Sequence, residues 1–197
     1  MNFILLTPES EHPTEVALIK TFFAKGLQRL HLRKPRFSEA EQAEYLSQFT
    51  VEELEKIVLH QFYDQSLRFP VRGIHLKERD RLKCLEKPAL FARYHIVSAA
   101  FHDPVALMNH RQWLEYAFIS PVFDSISKAG YPSPFEGMDW TALNEFSHFP
   151  VIALGGVNQD KLAFLNAQEF AGFAVLGAIW QADDPLAAFA DFIPHHS

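Results

Sequence analysis

The amino-acid sequence predicts an α/β chain folded as one (β/α)8 TIM barrel over residues 1–197. Three observations predict it. Eight short apolar runs recur along 197 residues, each followed by an amphipathic stretch. The strict alternation requires parallel strands with helical crossovers. No linker or compositional break divides the chain, and eight units favour a closed barrel over an open sheet of five or six strands. With 48% hydrophobic and 21% charged residues there is enough apolar material for a core.

Taken in order, Phe3–Leu6 is the first apolar run. It is followed by Pro13–Ala24, whose apolar residues Val16, Leu18, Ile19, Phe22 and Phe23 have helical spacing and which Gly26 closes. Arg29–Leu32 reads as the second strand. Ser38 with Glu41 three residues on forms a capping box, opening a helix to about Phe49. Val51–Lys56 is helical and runs into the third strand, Ile57–Leu59. A short helix near Asp64–Phe69 leads to Gly73–Leu76, the fourth strand, and Arg79–Glu86 is helical. Tyr94–Val97 reads as the fifth strand, with Asp103 capping a helix to His110. Glu115–Ile119 is the sixth, followed by a long polar loop, 120–134, and a helix at Asp139–Phe146. Val151–Leu154 is the seventh strand with a helix at Asn158–Asn166, and Gly172–Leu176 is the eighth, with Pro185–Phe192 closing the chain.

A net charge of −6 argues against a nucleic-acid scaffold. The N-terminal apolar run is too short for a membrane span or signal segment, so a cytoplasmic protein with no membrane partner is expected. The single cysteine, Cys84, has no thiol to pair with and no activating neighbours in sequence, and reads as structural.

In a barrel of this kind the working residues stand at the C-terminal strand ends. The seventh strand ends in Gly155-Gly156 and the eighth in Leu176-Gly177, where bare backbone amides can approach an anion. The loop after the sixth strand offers Ser125, Ser127 and Lys128, two hydroxyls and an ammonium able to close over that anion. At the second strand, alternation puts His31 and Arg33 on one face, where an inward arginine calls for an anion or a carboxylate. His75 ends the fourth strand. His102 follows the fifth, where a general acid/base could reach a ligand.

Together these stretches resemble the thiamine phosphate synthase / TenI superfamily. Gly26–Lys34, Gly73–Leu76, Ser120–Lys128, Pro150–Val157 and Phe173–Ile179 carry the likeness over nearly the whole chain. The resemblance implies one of two activities. The synthase joins hydroxymethylpyrimidine diphosphate to a thiazole phosphate with magnesium and releases diphosphate. TenI-type proteins are thiazole tautomerases that aromatise a thiazole carboxylate phosphate by a proton shift and need no metal.

The departures from the synthase pattern choose between them. His60-Gln61 stand where synthases carry Asn-Asp, and glutamine is a poor donor to a hard cation. Asp80 matches the second magnesium aspartate, with Asp64 nearby as a conceivable substitute. His31 replaces a glutamine, Lys34 stands one place early and so faces the other way, and Ala100 and Gly177 replace serines. His102 matches the histidine that TenI-type enzymes use as acid/base. The resemblance therefore implies a thiazole tautomerase with His102 moving the proton. Ser125, Ser127, Lys128, Gly155, Gly156, Leu176 and Gly177 would hold the phosphate, and His31, Arg33 and His75 the ring or its carboxylate. No cofactor is expected on this reading, and magnesium on the synthase reading. A non-catalytic regulatory binder of a phosphorylated ligand is a third alternative, and a homodimer is compatible with all three.

Overall fold

The computed structural model describes residues 1–10, 12–111, 113–124, 135 and 138–193. Eight parallel strands close a barrel in chain order, with the last paired to the first. They are β1 (Asn2–Leu6), β2 (Leu30–Leu32), β3 (Ile57–Leu59), β4 (Gly73–Leu76), β5 (Ile96–Phe101), β6 (Tyr116–Ile119), β7 (Val151–Leu154) and β8 (Gly172–Val175). The helices described between and after them are α1 (Glu15–Ala24), α2 (Glu39–Leu46), α3 (Val51–Leu54), α4 (Glu78–Glu86), α5 (Pro104–Met108), α6 (Trp140–Phe146), α7 (Leu162–Ala167), α8 (Gly177–Trp180) and α9 (Pro185–Ala190). None of the described helices is long and apolar enough to cross a membrane.

Local chemistry sets the helix starts. Ser38 accepts from Glu41 N while the Glu41 carboxylate accepts from Ser38 N, completing the expected capping box of α2. Thr50 and Glu53 repeat the device at α3. Asp103, Asp139 and Asp184 cap α5, α6 and α9 through backbone amides of the first turn.

Period-two alternation builds two cores. Residues such as Phe3, Leu5, Leu30, Leu32, Phe101 and Phe173 point outward and pack under the helices, where Phe22 and Phe189 stack at 4.3 Å. Inside the barrel, Ile4, Leu6, Val58, Val97, Tyr116, Phe118, Ile152 and Ala174 form a smaller cluster. The β1–β8 seam is locked by Trp180 of α8, whose Nε1 donates to the buried Leu6 carbonyl at 2.7 Å.

One strand lies further along than expected. Tyr94 precedes β5, which runs to Phe101. The register between β4 and β5 slips between Ile74, opposite Ile96, and His75, opposite Ser98. Val97 is the extra residue of this bulge. Both it and Ser98 therefore serve the interior, Val97 in the apolar cluster and Ser98 as a partner of His75. Gly73 permits the close approach, because a Cβ there would stand 2.4 Å from the His95 carbonyl oxygen.

Outside the barrel, His110 packs edge-on against Phe101 and Phe149, and its Nε2 has no hydrogen-bond partner among the described residues. Burial, with the Arg81 charge adding to it, lowers its pKa from 6.5 to about 4. The fold thus holds the ring neutral while the unfolded chain protonates below 6.5. This contribution to stability is complete above that pH and is lost as pH falls toward the folded value. Melting temperatures measured between about pH 7 and about pH 4.5 should therefore fall less for His110→Phe than for the native chain.

Candidate functional site

The C-terminal ends of β5, β6 and β7 are joined into one unit by backbone contacts. Val122 N donates to Leu154 O at 2.9 Å and Phe123 N to Gly155 O at 3.2 Å, laying the segment after β6 across the end of β7. Gly155 and Gly156 take φ of +94° and +65°. A Cβ on Gly155 would lie 2.8 Å from Pro121 Cα, and one on Gly156 2.2 Å from the Asp124 carbonyl oxygen and 2.7 Å from Phe123 Cβ. Only glycine satisfies both the left-handed backbone and this contact. The β7–β8 register, Leu154 opposite Ala174, brings this turn beside Leu176 and Gly177, where α8 begins.

His102 belongs to the same unit. Its Nδ1 lies 2.8 Å from the Ser120 carbonyl oxygen and 3.3 Å from Ser120 Oγ. A carbonyl only accepts, so Nδ1 is the donor, and in the neutral form of this exposed ring the lone pair lies on Nε2. Asp103 and Pro104 fix the chain immediately after it by starting α5.

The other expected residues fall on the opposite half of the mouth. Arg33 pairs with Glu9 of the β1–α1 segment, and its backbone N donates to the buried Thr7 hydroxyl at 2.8 Å. Its charge reaches Lys77, His60 and His75. Lys34 does face the other way, buried outside the barrel against Glu15 at 2.6 Å. Tyr45 donates to the same carboxylate at 2.6 Å. Burial raises the pKa of Glu15 despite these partners.

His31 and His75 lie deeper, in a buried polar belt that sequence reasoning saw only in part. His31 Nδ1 and His60 Nε2 are 2.8 Å apart, and His31 Nε2 is 2.6 Å from the Tyr116 hydroxyl. His75 Nδ1 is 2.8 Å from Ser98 Oγ, and Ser98 also bonds Tyr116. All three imidazoles are held neutral, chiefly by burial, which takes His75 down to about 3. The cations Arg29, Arg33 and Lys77 add to this effect. Tyr116 and Ser98 were missed for different reasons. Tyr116 looks like any strand aromatic, and Ser98 turns inward only because of the bulge.

The residues at the expected magnesium position do not fit that ion. Asp80 accepts from Tyr63 Oη at 2.9 Å and has Arg79 Nε 3.7 Å away, with Lys77 nearby. Gln61 turns its amide onto the Lys34 carbonyl. Asp64 is committed to Arg93 and Tyr94 and supplies no second carboxylate. A hard dication needs several oxygen donors, and one engaged carboxylate among cations does not provide them. Ser125, Ser127 and Lys128 lie outside the described residues.

Fold and site define a class first: a small (β/α)8 barrel whose last two strands end in glycines beside a tethered histidine. Residues 3–179 match the family described as thiamine monophosphate synthase (TMP-TENI), and the chain belongs to that family. It is 28% identical over 134 residues to a thiamine-phosphate synthase of Chloroflexus aurantiacus, covering 67% of this chain and 61% of that protein. The chain thus spans about three fifths of the length of the first curated relatives it matches. Among solved structures it is similar to a thiamine phosphate pyrophosphorylase of Bacteroides thetaiotaomicron, with TM-score 0.80, 25% identity, and coverage of 99% of this chain and 95% of that one. The enzyme of the same name from Pyrococcus furiosus has TM-score 0.80 at 20% identity, over 98% and 94% of the two chains, a likeness of fold.

The two glycine positions should respond differently to a methyl group. Gly156→Ala meets backbone and a positive φ, and should cost at least about 2 kcal/mol in denaturant unfolding. Gly177→Ala meets only the Gln181 side chain at 3.3 Å. It should change stability by no more than about 1 kcal/mol in the same measurement.

Proposed function

We infer that the protein binds a thiazole phosphate at the β7–β8 corner and catalyses its aromatising proton shift, as TenI-type tautomerases do. The observation that carries this reading is His102, held through Nδ1 by Ser120 O with Nε2 left as a base. The same backbone unit contains Gly155 and Gly156. The amides about Gly155, Gly156, Leu176 and Gly177 would receive the phosphate. Ser125, Ser127 and Lys128 would add hydroxyl and ammonium groups as further phosphate ligands. His102 Nε2 would take a proton from the non-aromatic ring, and the resulting imidazolium would return it at the far end of the conjugated system. No carbon–carbon or carbon–nitrogen bond is made or broken. Arg33 and Lys77 would receive the carboxylate, with Arg33 exchanging Glu9 for it. His31 and His75 would then act from beneath the ring rather than at its edge.

A second reading, a thiamine phosphate synthase, is favoured by the names of the relatives. It calls for magnesium chemistry at Asp80, where the donors present do not suit that ion.

One assay separates the two. The purified protein is given the thiazole carboxylate phosphate tautomer, or instead pyrimidine diphosphate with thiazole phosphate, each with and without magnesium. The expected outcome is conversion of the tautomer regardless of magnesium. For His102→Ala, kcat should fall by roughly 10²–10⁴-fold with KM changed only a few-fold. Diphosphate release dependent on magnesium, with no tautomer conversion, would establish the synthase reading instead.

A further inference from the structure

The interior belt has the composition and arrangement of a metal site of a different kind from the family's magnesium position. One ring nitrogen from each of His31, His60 and His75 lies within 4.8 Å of the other two. The rings are packed together, His60 and His75 stacked at 4.2 Å, and His31 edge-on to both at 5.0 and 5.3 Å. His31 belongs to β2 and His75 to β4, and His60 directly follows β3 between them.

We propose that His31, His60 and His75 form a three-imidazole site for a borderline-soft divalent ion, zinc being the natural occupant. Neutral imidazole is a good ligand for zinc and its late first-row neighbours and a poor one for magnesium or calcium. The proton shared between His31 Nδ1 and His60 Nε2 at 2.8 Å would give way to the ion, His60 then carrying its own on Nδ1. The supporting hydroxyls have the roles that outer groups play around ligating histidines. Tyr116 holds Nε2 of His31 and Ser98 holds Nδ1 of His75, leaving the opposite ring nitrogen of each as the donor.

Tetrahedral zinc at about 2.0–2.1 Å from each nitrogen needs its ligand atoms about 3.3 Å apart. His31 Nδ1 and His60 Nε2, now at 2.8 Å, would therefore part by about half an ångström. His60 follows β3 directly and, by the register of Leu59 with Ile74, lies level with His75. The fourth position would be taken by an anion, because three neutral ligands leave the charge of the ion uncompensated. Arg33 and Lys77, whose charges already reach His60 and His75, suit an anion there. This proposal does not depend on the thiazole reading, since the ion is bound by the free protein.

The test uses the untagged full chain with His195 and His196 replaced by glutamine, so that the C-terminal histidines add no site. Zinc content after chelation and reloading should be about one ion per chain. Cobalt(II) should give the intense visible bands of a four-coordinate site, and zinc should displace it. His60→Gln and His75→Gln should lose this binding, and Tyr116→Phe should weaken it by roughly 10–100-fold. Equal zinc affinity in the native and both histidine variants, or a native cobalt spectrum no stronger than that of the hydrated ion, would overturn the proposal. If a histidine variant fails to fold by circular dichroism, the cobalt spectrum of the native chain decides alone.

Discussion

The arrangement of this molecule depends on a close contact between two backbones, Gly155-Gly156 at the end of β7 and Pro121–Asp124 after β6. Any side chain at either glycine would stand inside van der Waals distance of main-chain atoms. Because neither has one, the segment after β6 lies flat on the end of β7 and bonds to Leu154 and Gly155. Ser120 is thereby placed where its carbonyl can hold His102. An imidazole and a glycine turn are brought to the same end of the barrel by a steric fact about glycine.

The second organising feature is the filling of the barrel. A closed parallel barrel must fill its interior with the inward residues of its own strands. In this chain β1, β7 and β8 supply Ile4, Leu6, Ile152 and Ala174, while the β2–β5 side supplies His31, His60, His75 and Ser98, with Tyr116 joining them from β6. A buried polar group is costly unless it is hydrogen-bonded. The belt meets that cost by bonding its members to one another. At the mouth above it stand Arg33, paired with Glu9, and Lys77, close to Asp80, so its carboxylates are already engaged with cations and are poor donors to magnesium. The family's usual metal position and this chain's own donor set thus point to different ions.

Much of this was legible in the sequence, and the rest was hidden for identifiable reasons. The alternation of apolar runs and helices gave the barrel and the order of its strands. Ser38 with Glu41, and Asp103 before α5, marked helix starts because capping is a local interaction. Gly155, Gly156 and His102 were visible as strand-end residues, yet their mutual support through Ser120 and Pro121 is a long-range contact that no spacing encodes. The bulge at Ile74–His75 is set by sheet register, so β5 was placed too early and Ser98 was passed over. Arg33 was recognised as needing an anion, but Glu9 as its partner could be seen only in three dimensions. Lys34 was read as facing away from Arg33, and it does so because successive strand residues alternate sides.

The most direct test of the account is a crystal structure of the protein with a thiazole phosphate bound. The account predicts phosphate oxygens on the amides around Gly156 and Gly177, with His102 Nε2 within hydrogen-bonding reach of the thiazole. A phosphate seated elsewhere, or a ring beyond the reach of His102, would contradict it.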